Sequence, residues 1–136
     1  MDTRREQVMT LLDALWSRGD EAPLRALVSD DFRYALSAGT RTMDLSAYLE
    51  TVHGFRAAFS PIELLFHRVL CEGGRVAAHY SLLGEHSGPF YGTEPTGRVG
   101  SLEVMSVLHF EADRLVRQTS VTDFLTLRRR LAARDT

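Results

Sequence analysis

The chain has 136 residues, 44% of them apolar and 25% charged, and a formal net charge of −2. That length suits one domain with a sizeable core, here spanning 1–136, and the charge gives neither nucleic acid nor an anionic membrane an electrostatic reason to bind. All sixteen basic residues are arginine, which excludes a lysine Schiff base as the catalytic device. The one cysteine, Cys71, can make no internal disulfide and fits a reducing compartment. No apolar run reaches membrane-spanning length, and the first residues lead into an amphipathic helix and not a signal sequence, so a cytoplasmic protein is predicted.

Val8, Leu11, Leu12, Leu15 and Trp16 recur at helical spacing and predict an amphipathic helix over 3–17, stopped at Arg18-Gly19. Asp20 can cap a short second helix with Pro23 in its first turn. Phe32 to Leu36 reads as a short strand. A third helix starts at Asp44 or Ser46, buries Leu45, Tyr48, Leu49, Val52, Phe55 and Phe59, and ends before Pro61. Four strands then follow at about 62–71, 75–83, 99–110 and 115–122, with a turn at Ala112-Asp113, and Asp123 opens a last helix. Helices first and an antiparallel run afterwards give an α+β fold in which a curved sheet and the helices enclose a pocket. Strands 62–71 and 99–110 are apolar on both faces, so the outer face needs a cover, and a homodimer is the simplest one.

Five of the ten glycines and two of the four prolines fall within 84–100 and mark a shaped connection between two strands. Around it stand Glu72-Gly-Gly-Arg-Val-Ala, His86-x-Gly-x-Phe-x-Gly-x-x-Pro-Thr-Gly-Arg and Asp123-x-Leu-x-Leu. Together these elements resemble those of the SnoaL-like polyketide cyclases, small α+β proteins of the nuclear-transport-factor-2-like superfamily, and the resemblance covers nearly the whole chain. It implies a cone-shaped curved antiparallel sheet wrapped around a pocket with three N-terminal helices. It also implies a cofactor-independent enzyme that closes a ring in a small, largely apolar metabolite of natural-product biosynthesis. Epoxide opening, hydration or isomerisation on the same fold is the alternative chemistry. A non-catalytic ligand-binding or interaction domain is the alternative class.

The resemblance assigns Asp123 as the general acid/base and His86 as its partner. Apolar surroundings would raise the Asp123 pKa toward the operating pH and make it a competent base. The same aspartate also reads as an ordinary helix N-cap, and His86 as a structural loop residue. If Glu72-Gly73-Gly74-Arg75 is a four-residue hairpin loop, Cys71 faces Val76 and His67 falls opposite Tyr80. Tyr80 and His86 then share the face of Val76. Tyr80 could donate to a carbonyl oxygen as charge develops there, or be a core tyrosine. Tyr91, in the shaped loop, could close over a ligand, and Thr119 stands in the pocket wall where the family has a tryptophan. Ala35 likewise replaces a histidine, which changes the pocket the substrate would meet. No metal-ligand spacing and no phosphate-cradling loop is present.

Overall fold

The computed structural model describes residues 3–36 and 41–132. Thr3 opens the first helix with a reciprocal cap: Glu6 N–H donates to its hydroxyl at 3.1 Å, and Thr3 N–H donates back to the Glu6 carboxylate at 3.4 Å. Helix α1 (Arg4–Asp13) runs on into a π-helical stretch, Ala14–Arg18, and ends at Gly19 in the left-handed conformation, φ 69°. Arg56 fastens this end by donating to the carbonyl oxygens of Trp16 at 3.0 Å and Ser17 at 3.4 Å. Ala14, Leu15 and Trp16 are consequently buried in succession.

Helix α2 (Ala22–Leu27) leads into β1 (Val28–Leu36), which pairs with the three-residue β2 (Arg41–Met43). Asp44 caps α3 (Leu45–Ala58), accepting from the Ala47 N–H at 2.9 Å. Then come β3 (Phe59–Glu72), β4 (Arg75–His86), β5 (Val99–Glu111), β6 (Arg114–Thr122) and the last helix, α4 (Phe124–Ala132). Strand β1 starts at Val28, ahead of the Phe32 start that the sequence predicts, and β2 carries no strand signal of its own. Among the described residues no helix is long and apolar enough to cross a membrane.

The six strands form one sheet in the order β2-β1-β6-β5-β4-β3, antiparallel throughout except for β1 on β6, which is parallel. β2 takes one flank of β1 at once, and the other is filled by β6 only after β3, β4 and β5 have been laid down. On β4 and β5 the even-numbered residues face the helices and the odd ones face outward. The outer face is uncovered, with Leu70 58%, Met105 58% and Val121 57% exposed.

Cys71 does pair with Val76, although the hairpin closes tighter than expected, with Glu72 opposite Arg75. His67 does not pair with Tyr80. The register slips by one residue there, so that Phe66 stands opposite Tyr80 and Arg68 opposite His79. His67 is the bulged residue, and the extra residue turns its ring to the outer face.

Candidate functional site

Between the helices and the inner face of the sheet lies a cavity of about 290 Å³. Trp16, Phe55, Phe90 and Phe124 supply aromatic walls; Leu36, Leu82, Leu102 and Val104 supply aliphatic ones. All four tyrosines of the chain reach it, and among the described residues no charged side chain lines it. Tyr34 and Tyr48 stack face to face, centroids 4.0 Å apart, and Tyr80 is 1% exposed. Burial pushes the phenol pKa values of Tyr34, Tyr48 and Tyr80 up, well up for the last two, so all three remain neutral hydrogen-bond donors at physiological pH.

A buried hydroxyl chain runs beneath them. Tyr80 Oη is 3.3 Å from Ser106 Oγ, which is 2.6 Å from Ser120 Oγ. Gln118, on the same face of β6, is fully buried and its amide makes no hydrogen bond of good geometry, although Tyr48 lies close enough to feel it.

The loop 87–98 forms one side of the mouth. Its tip is a two-residue turn in which Phe90 and Thr93 exchange backbone hydrogen bonds at 3.0 and 2.9 Å. Tyr91 and Gly92 take φ of 46° and 78° there, as such a turn requires. This geometry puts Tyr91 over the opening, 72% exposed, against Phe90 and Phe124.

His86 holds that loop from behind. It is fully buried, stacks on Phe59 with centroids 5.2 Å apart, and its Nδ1 lies 3.0 Å from the Thr96 hydroxyl. The Thr96 N–H donates to the same Nδ1 at 3.2 Å, which makes Nδ1 the acceptor and places the ring hydrogen of the neutral tautomer on Nε2. Nε2 is itself buried without a partner among the described residues. His86 shares the inner face of β4 with Tyr80, yet it stands behind the cavity wall and makes no hydrogen bond to Asp123.

Asp123 is placed otherwise than its apolar setting in the sequence implied. It is exposed and accepts from the Thr126 N–H at 3.0 Å. The Thr126 side chain, then its backbone N–H, then Arg129 hold the carboxyl below the usual range, where a raised value was expected. Its neighbours Thr122 and Phe124 both line the cavity, so Asp123 sits at the rim.

Of the other candidates, Tyr80 and Tyr91 line the cavity, and His67 and Thr119 do not. Thr119 lies between Gln118 and Ser120, which take the inner positions of β6, and strand alternation turns it outward opposite Val107. His67, 2.7 Å from Ser81 Oγ and against the His79 ring, joins Thr119 in a shallow groove on the outer face. Trp16 and Tyr48 were visible in the sequence only as members of core stripes, and Tyr34 only as a residue of the strand from Phe32 to Leu36. Among the described residues no group of three His, Cys, Asp or Glu side chains could hold a metal ion.

The SnoaL-like polyketide cyclase family model matches residues 6–131. Three solved structures share the fold. AclR of Streptomyces galilaeus superposes with a TM-score of 0.84 at 23% identity, over 97% of this chain and 83% of its own. IdmH of Streptomyces antibioticus gives 0.81 at 22%, over 96% and 100%. TsrD of Streptomyces laurentii gives 0.78 at 19%, over 98% and 100%. No curated protein matches the chain in sequence. With a family match over almost its whole length, and with helices and a curved sheet enclosing a cavity, the chain belongs to the SnoaL-like polyketide cyclase family.

Proposed function

We propose that the cavity takes one small, largely apolar, oxygen-bearing metabolite and that the protein closes a ring in it by proton transfer, as a polyketide-type cyclase does. The observation that carries this reading is the cavity itself: walls of aromatic and aliphatic side chains, neutral hydroxyl donors and no charge. The Asp123 carboxylate, at the rim between two lining residues, is the proton acceptor. It removes a proton α to a carbonyl, the enolate carbon attacks a second carbonyl carbon, and the resulting alkoxide takes a proton back. Nothing is oxidised or reduced, so the step asks for no cofactor. The resting site favours the anion, which is the accepting form, and substrate seated at the mouth would strip water from it and strengthen it as a base. His86 serves as a positioning residue by pinning the loop to Phe59 and Thr96. A second copy of the chain covers the apolar outer sheet face; a monomer in sedimentation at micromolar concentration would remove that part of the reading.

One observation favours a second reading, a ligand-binding domain without catalysis: Asp123 is engaged as a helix cap, and among the described residues no carboxylate or imidazole lines the cavity. Deuterium exchange at the α-carbons of 2-tetralone in D2O, followed by proton NMR, separates the two. The cyclase reading expects exchange faster than in buffer, and a loss of roughly 10²–10⁴-fold in Asp123→Asn, which still caps a helix. Exchange unchanged by the substitution in a folded variant leaves the binding reading.

A further inference from the structure

Trp16 is 93% buried, being 7% exposed, and it lines the cavity, yet its indole Nε1–H has no hydrogen-bond partner of good geometry among the described residues. Indole is a donor only, so a buried one without an acceptor leaves a polar group unsatisfied. Tyr80 lines the same cavity beside it. The Trp16 N–H is close enough to the Tyr80 oxygen to favour its ionised form, but it does not reach hydrogen-bond geometry. The hydroxyl chain decides what Tyr80 can offer. Hydroxyl hydrogens rotate, and when Ser120 donates to Ser106 and Ser106 to Tyr80, the phenol oxygen is satisfied as an acceptor. Its own hydrogen is then free to point into the cavity.

We infer that Trp16 Nε1–H and the Tyr80 hydroxyl form a two-donor site for the neutral carbonyl oxygen of the ligand, and that this site selects ketones over both hydrocarbons and carboxylates. The inference rests on the proposed cavity reading and deepens it. Two donors satisfy the two lone pairs of a carbonyl oxygen, and both bonds strengthen as negative charge grows there on enolisation. A carboxylate would bring a full charge into walls that, among the described residues, hold no cation to pair it. A hydrocarbon would leave both donors unpaired.

Trp16 is the only tryptophan of the chain, so its emission reports occupancy of the cavity directly. Three probes of one shape are titrated at neutral pH: 2-tetralone, tetralin and tetralin-2-carboxylate. The ketone is expected to bind at least about tenfold tighter than the hydrocarbon, and the carboxylate weakest. Tyr80→Phe, which removes only the hydroxyl, should cancel most of the ketone's advantage and leave tetralin unchanged. Trp16→Phe should do the same, with binding followed by calorimetry. If the first variant misfolds, the second still tests the site. Equal affinity for ketone and hydrocarbon in the wild-type protein overturns the two-donor site while leaving the apolar cavity reading in place. Tightest binding of the carboxylate overturns the choice of a neutral carbonyl. Binding of none of the three overturns the site and the cavity reading together.

Discussion

Thr122, Asp123 and Phe124 are consecutive, and only the outer two face the cavity. A carboxylate at the rim, held by Thr126 and Arg129, keeps its anion to lower pH than an isolated aspartate. If it is the base, kcat/KM for α-proton exchange, which reports the free enzyme, should stay level from neutral pH down past the ordinary value of about 4 before it falls. An acid limb near pH 6 would assign the base to another group. Stability follows the same sign: a depressed folded pKa contributes stability above the unfolded value, lost as pH falls through the folded one. His86 behaves differently under substitution. Fully buried and stacked on Phe59, it packs like a core aromatic, so His86→Ala should cost roughly 2–4 kcal/mol in urea denaturation. Its place in a glycine-rich stretch, which reads as loop, concealed this burial.

At the level of elements, β5 and α4 meet where Gly100 leaves no room. A Cβ there would lie 2.7 Å from Phe59 Cε1 and 2.8 Å from Leu127 Cδ1, and both of those side chains are buried. Gly100→Ala should therefore destabilise by roughly 1–3 kcal/mol, read as a lowered urea midpoint, and loosen the Phe59 ring under Phe90. The helical stripes and the four long strands were legible because periodicity records burial. The bulge at His67 was not, because nothing in Phe66-His67-Arg68 marks which residue the ladder will skip. Asp123 carried its capping signal openly. Its exposure depends on how α4 docks, which local sequence does not encode. Trp16 and Tyr48 looked like core because a cavity wall and a packed core have the same apolar period. What separates them is whether the N–H and O–H groups find partners.

Across the whole molecule, three buried phenols and an absence of lysine set the response to alkali. The folded pKa values of Tyr34, Tyr48 and Tyr80 lie above the ordinary value of about 10. Their contribution is therefore full below the unfolded value and is lost as pH rises through it toward the folded values. Arginine stays charged throughout, so the urea midpoint should hold to about pH 10 and then fall, and Tyr48→Phe should flatten the fall. The parallel seam of β1 on β6 bears on how the protein is made. Val28 finds its partner at Leu115 and Leu36 finds its own at Ser120. During synthesis the first third of the chain emerges with no neighbour on that flank of β1. The seam can zip only after β6 has been translated. Such distant pairing makes folding slow and leaves the β1–β2 edge open to other chains in the interval, a vulnerability that a chaperone on the nascent chain would cover.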